Sequence, residues 1–241
     1  KREMSMKKIG MWAVCLLSIV GMQAQTVATS VKQLVVDDFY KMKVYNNFDV
    51  SYRQNADSAG VIVVMAATDD IENIECVSKK GQLTIKYKGP RDKEQMQGSI
   101  IVYSTALEYV ENNGIGSVQI TSPVSGAAFQ AKVIGNGLIA GRHIDYGIVK
   151  ASVLTGSGKV VLAGKCREAE LSVTGTGQIE ADGLVARDVS CRITGNGVIG
   201  CHAQKKLTAW ATGNGEVYYR GTPEIKKNSL GELSVRSLEG L

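Results

Sequence analysis

Six Gly-x-Gly triplets punctuate the second half of this chain at a nearly fixed interval, and that period constrains the fold more than any other feature. They are Gly114-Ile115-Gly116, Gly135-Asn136-Gly137, Gly156-Ser157-Gly158, Gly175-Thr176-Gly177, Gly195-Asn196-Gly197 and Gly213-Asn214-Gly215. Successive first glycines lie 21, 21, 19, 20 and 18 residues apart. Self-similarity at a period near twenty marks a repeat architecture. One further step of 18 reaches Gly231, within Ser229-Leu230-Gly231-Glu232-Leu233, a degenerate copy of the kind that closes a repeat array.

Polarity around each triplet alternates with the period of a strand. Six and four residues before the second glycine stand Ala131/Val133, Ser152/Leu154, Leu171/Val173, Cys191/Ile193 and Ala209/Ala211, which the alternation points inward. Between them Lys132, Val153, Ser172, Arg192 and Trp210 face solvent, and two residues after the glycine an aliphatic side chain recurs as Ile139, Val160, Ile179, Ile199 and Val217. Each copy thus reads strand, bend, strand, looser turn. A single coil cannot bury its own apolar stripe, whereas stacked coils bury a continuous column and pair their backbones at about 4.8 Å per rung. The predicted fold is all-β: a parallel β-helix, or β-solenoid, about 30 Å long for six coils at that spacing. Crossovers between parallel strands favour the right hand. The paired glycines, from Gly135 and Gly137 to Gly213 and Gly215, serve as structural residues at a repeated tight corner.

The chain divides into three stretches. Residues 1–24 read as a signal peptide: Lys7 and Lys8 precede an apolar run from Ile9 to Val20, and Met22-Gln23-Ala24 offers a cleavage point. Cys15 sits inside that run and not at its end, which argues against a lipid-attachment site. Residues 25–112 lack the period but carry short β-branched runs such as Val31–Val36, Val61–Met65 and Leu83–Tyr87, a β-rich region that caps or begins the solenoid. Asp69 and Glu72, at capping-box spacing, predict one helical turn near Ile71–Ile74. Residues 113–241 are the repeats.

Charge narrows the partners. The whole chain carries a net +5, but without residues 1–24 the balance is 24 basic to 22 acidic side chains, or +2. No Lys/Arg stripe interleaved with aromatics remains, so nucleic acid is not an expected partner. The leader's apolar run is too short to span a bilayer comfortably, and no transmembrane helix is expected once it is removed.

The run of Thr-Gly-x-Gly copies, closed by Gly215-Glu216-Val217-Tyr218-Tyr219-Arg220-Gly221-Thr222-Pro223, resembles the exported bacterial family called putative auto-transporter adhesin, head GIN domain. Phe48-Asp49-Val50 and Gly81-Gln82-Leu83-Thr84-Ile85 fit the same pattern, so the resemblance extends over roughly residues 35 to 240. It implies a β-solenoid at the cell envelope and supplies no catalytic residues. A membrane barrel of about twelve strands of ~10 residues would fill over half of such a chain, and the repeats leave no room for one within these residues.

Reactive groups are sparse. Cys76, Cys166, Cys191 and Cys201 form an even set that an exported protein could join as disulfides. Cys191 and Cys201, however, fall on inward columns on opposite sides of one Gly-x-Gly bend and read as small buried core residues ahead of a bridge. Cys201-His202 and His143 lack metal-ligand spacing, so neither a metal nor any other cofactor is expected. Glu180, Glu216, Asp145, Asp182 and Asp188 occupy different columns and form no pair suited to glycoside hydrolysis. Gly156-Ser157-Gly158-Lys159 lacks the spacing of a phosphate loop.

What remains is a binding surface. Asn136, Ser157, Thr176, Asn196 and Asn214 form one polar row, and Thr155, Thr174, Thr194 and Thr212 a second, giving either stabilising side-chain ladders or a regular face for a glycan. Trp210, Tyr146 and Tyr218 are the aromatic candidates for contact. The sequence therefore predicts a non-enzymatic exported solenoid that binds a glycan or an envelope protein. The alternatives are a self-assembling structural protein that forms homo-oligomers and, last, a carbohydrate-active enzyme.

Overall fold

The computed structural model of the protein describes residues 28–89 and 97–239; the signal-peptide reading of residues 1–24 lies outside them. Fourteen strands belong to one continuous sheet system, and no helix among the described residues is long and apolar enough to cross a membrane. The parallel strands stack as a β-solenoid of about six turns.

Its ladder runs from β2 (Lys41–Gln54) through β7 (Tyr109–Gly114), β9 (Val124–Ile134), β10 (Leu138–Leu154), β11 (Lys159–Gly175) and β12 (Gln178–Gly195) to β13 (Val198–Arg220) and β14 (Glu224–Ser237). Pairing is parallel and in register from one coil to the next: Val149, Ala169, Val189 and Leu207 align, as do Ala151, Leu171, Cys191 and Ala209, and Val153, Val173, Ile193 and Ala211. Each of these side chains is at most 4% exposed, so the columns form the core. The register shifts at Gly141/Ile144, Val161/Ala163 and Ala181/Val185, where each coil turns a corner and its loop length varies without disturbing the columns. Gly231 pairs with Gly213, which makes the degenerate last copy a true rung.

One coil departs from the predicted alternation. Ala151 and Val153 are buried there, while Ser152 and Leu154 point outward. The bend Thr155–Gly158 holds one residue more than its neighbours, absorbed by consecutive positive φ angles at Thr155 (62°) and Gly156 (70°). Taking the extra residue into the strand would have turned every side chain to the wrong face. Leu154, not Thr155, therefore pairs with Thr174.

The two glycines of a triplet do different work. The first, as at Gly195 with φ 109°, adopts a conformation that side chains disfavour, and a Cβ there would lie 2.7 Å from the carbonyl oxygen of Gly175 in the preceding coil. The second points inward under an aliphatic side chain: a Cβ on Gly177 or Gly197 would lie 2.4 Å from Cγ1 of Val153 or Val173. Removing the second side chain is what lets successive coils close at the spacing of one strand.

The N-terminal region is built around β2, which spans both arms of the first coil. Its first half lies between β7 and β5 (Gln82–Tyr87), and its second half between β8 (Ser117–Ile120) and β6 (Gln97–Ser104). Outside these, β3 (Val61–Ala67) and β1 (Thr29–Val35) continue antiparallel from β6, and β4 (Ile74–Lys79) pairs antiparallel with β5. The predicted helical turn is a 3-10 turn, Ile71–Asn73, preceded by Asp70 with no side-chain cap. Glu72 is drawn instead to Lys32 at 2.6 Å, and Asp70 accepts from the Tyr87 hydroxyl at 2.9 Å.

Candidate binding face

The outward side chains of the arm before each bend form a flat face, because parallel in-register pairing places equivalent positions directly above one another. In its C-terminal half three rows lie side by side: Glu170, Ser190 and Thr208; Ser172, Arg192 and Trp210; Thr174, Thr194 and Thr212. The Arg192 guanidinium stacks 5.1 Å from the centre of the half-buried Trp210 ring. Such a stack holds the indole in place while leaving part of it to solvent. The hydroxyls of Thr174, Thr194 and Thr212 make no hydrogen bond within the described residues and repeat at the strand spacing of about 4.8 Å.

The row at the bend tips is looser than a side-chain ladder. Asn136 Oδ1 accepts from the Ser157 amide (3.0 Å) and hydroxyl (3.3 Å), and Thr176 donates its hydroxyl to the Gly156 carbonyl at 3.2 Å. Asn196 and Asn214 are exposed, and their side-chain amides have no hydrogen-bond partner among the described residues. Thr155 leaves the threonine row entirely, since its hydroxyl folds back to the carbonyl of Leu154 at 2.5 Å.

The three aromatic candidates do not share a surface. Tyr146 is 3% exposed, packs at 5.3 Å on Phe129 and donates its hydroxyl to the Leu107 carbonyl, so it is a core residue and not a contact. The alternation breaks between Tyr146 and Val149, both buried, and this turns Tyr146 inward. Tyr218 lies beyond the Gly213–Gly215 bend on the next arm, where its hydroxyl donates to Glu216 at 2.6 Å and is thereby pushed above the ordinary phenol value. Trp210 alone stands on the threonine face.

Sequence reading also missed the polar cluster at the N-terminal end of this face. Glu111 is 3% exposed yet charged: Lys43 and Lys132 flank it at 3.4 Å each, and the Tyr109 hydroxyl donates to it. Burial pushes its carboxyl up, but Tyr109 and the two ammonium groups outweigh that and hold it below the usual carboxylate range. Beside this cluster opens a groove of about 550 Å³ lined by Lys41, Lys43, Tyr109, Gln130 and Lys150 over a floor of Ala127 to Phe129. Lys41 and Lys43 come from β2, whose place in the ladder depends on pairing across more than sixty residues.

Asp145, Glu180, Asp182 and Asp188 are each engaged by a cation, Lys165, Lys159, Arg220 and Arg187 respectively. Glu168 and Asp188, paired on adjacent rungs, each carry their own arginine. Among the described residues no three His, Cys, Asp or Glu side chains converge to hold a metal ion. The four cysteines among the described residues are free; Cys191 and Cys201 are buried together, and the Cys201 thiol and burial hold Cys191 well above its ordinary value. Burial also raises Cys76 to about 12 and Cys166 to about 11.

A stack of parallel, in-register strands with a polar outer face places the chain among the β-solenoids. The chain belongs to the family described as putative auto-transporter adhesin, head GIN domain, which matches residues 38–223. Among solved structures, a putative adhesin from Bacteroides fragilis superposes with a TM-score of 0.78 at 22% identity, covering 90% of this chain and 100% of its own. A putative lipid binding protein from Parabacteroides distasonis gives 0.73 at 21%, covering 89% and 98%. A putative adhesin from Parabacteroides merdae gives 0.68 at 23%, covering 89% and 98%. At these identities the likeness is one of fold. No functionally curated protein matches the sequence.

Proposed function

We propose that the protein is a non-enzymatic, exported adhesion or ligand-binding module of a Gram-negative-type cell envelope, in the periplasm or at the cell surface, and that it engages a glycan or an envelope protein through its threonine face. The observation that carries the reading is the arrangement of Trp210, stacked on Arg192, beside the aligned hydroxyls of Thr174, Thr194 and Thr212. An amphipathic ring next to regularly spaced hydroxyls offers a sugar both a stacking surface and hydrogen bonds. The free amides of Asn196 and Asn214 extend the same chemistry to the adjoining bend.

A glycan-binding screen tests this. A binder whose affinity falls at least tenfold in Trp210→Ala, with unchanged thermal stability, supports the reading; a binder indifferent to Trp210 and to Thr194→Val overturns it.

Self-assembly has one feature in its favour: β14 is an edge strand, with Leu230 71% exposed. The register opposes it. Lys227 and Ser229 continue the columns of Ala209 and Ala211, so another coil stacked on β14 would bury an ammonium group over the core.

A further inference from the structure

We propose that the groove at the N-terminal end of the face is a separate site for an acidic saccharide, one carrying carboxylate groups, held by Lys41 and Lys150. The proposal deepens the binding reading above and rests on it for the ligand class, but it involves different residues. Its starting point is one ammonium group without a carboxylate partner among the described residues and a second whose partner is exposed. Lys41 has no carboxylate partner among the described residues; its ammonium lies 5.2 Å from the centre of the Tyr40 ring. Lys150 pairs with Glu170 at 2.8 Å, but both side chains are about half exposed, so a ligand carboxylate can take the place of that partner at little cost. Lys43 is committed to the buried Glu111 and fixes the groove wall.

The remaining lining suits a sugar ring. Tyr109 and the Ala127–Ala128 floor give apolar surface for its C–H face, and the Gln82 and Gln130 amides can meet its hydroxyls. A volume of about 550 Å³ falls within the range of small-ligand sites. The concavity separates this ligand from an anionic membrane: a bilayer is flat and wide, whereas Lys41 and Lys150 line a groove that also contains Glu108, with Glu170 beside Lys150, and these carboxylates would repel a continuous anionic surface.

Titration calorimetry with trigalacturonate, and with maltotriose as the neutral comparator, tests the proposal. Trigalacturonate is expected to bind, maltotriose is not expected to bind in the groove, and the affinity for trigalacturonate should weaken between 50 and 300 mM NaCl as screening shortens the reach of the charges. Lys41→Gln and Lys150→Gln should each weaken binding about three- to fivefold, by the size of a surface charge contact. Lys41→Arg should restore most of the loss, and Lys226→Gln, an exposed lysine on β14 remote from the groove, should leave trigalacturonate binding unchanged. Failure of trigalacturonate to bind, or equal binding by wild type and the Lys41→Gln/Lys150→Gln double variant, overturns the groove assignment. So does capture of phosphatidylglycerol vesicles without trigalacturonate binding. Trigalacturonate binding abolished by Trp210→Ala but insensitive to Lys41 overturns the groove and leaves the threonine-face reading standing. Loss through the lysines together with a negative neutral-glycan screen does the reverse.

Discussion

The two-glycine bend can be tested by separating backbone strain from crowding, because two first glycines share the strain and only one is crowded. Gly135 (φ 99°) and Gly195 (φ 109°) have nearly the same backbone conformation. A Cβ at Gly135 meets nothing within 4 Å, whereas one at Gly195 would lie 2.7 Å from the Gly175 carbonyl oxygen and 3.3 Å from its Cα and amide nitrogen. The difference arises because the ladder above Gly135 ends at the Asn112–Val133 pair, while Gly195 is paired directly with Gly175. Gly135→Ala should therefore cost the left-handed backbone penalty alone, about 1–2 kcal/mol. Gly195→Ala adds a contact that can be relieved only by moving a rung whose carbonyl accepts the Asn196 amide at 2.9 Å. Overpacking of that kind costs about 1–3 kcal/mol more, for a total of about 2–5 kcal/mol. Urea unfolding followed by circular dichroism would measure both, with equal slopes as the check that each variant unfolds as one unit. A Gly135→Ala cost equal to or above that of Gly195→Ala would refute the assignment of the second term to inter-coil crowding.

Glu111→Gln should destabilise the protein by about 3 kcal/mol at pH 7, since it leaves Lys43 and Lys132 facing a neutral group at a buried site. The Glu111 carboxyl is held below its unfolded value, so its contribution is fully present above about pH 4.5 and is lost as the pH falls through the folded value. Melting temperatures of wild type and variant should thus converge below pH 4; a gap that stays constant with pH would contradict the charge assignment. In a form of the protein lacking residues 1–24, all four cysteines should titrate with a thiol reagent after denaturation. In the native state at pH 8, Cys191 and Cys201 should not react, and Cys166, raised to about 11, should react slowly. Fewer than four thiols in denaturant would indicate a disulfide. Finally, Lys227→Val with Ser229→Val should convert a monomer into a species that self-associates with rising concentration in light scattering, because the open end of the core becomes apolar; a persistent monomer would show that the inward lysine is not what keeps β14 unpaired.

The period of the glycines and the alternation around them determined the solenoid, its columns of aliphatic side chains and even the worn last rung at Gly231, because a repeat stacks only on its neighbours and local pattern carries nearly all the information. The inward position of Cys191 and the solvent face at Ser172, Arg192 and Trp210 were legible for the same reason. Tertiary structure decided the rest wherever a single residue or a distant partner intervened. One extra residue in the Thr155–Gly158 bend reversed the predicted facing of Ser152 and Leu154 and removed Thr155 from its row, since a strand's side chains alternate and an insertion must go somewhere. The placement of β2 beside β7 set Lys41 and Lys43 against Tyr109, Gln130 and Lys150, and a break in the alternation between Tyr146 and Val149 carried Tyr146 into the core against the Leu107 carbonyl. These outcomes depend on which segments meet in space, and short-range periodicity contains no record of that.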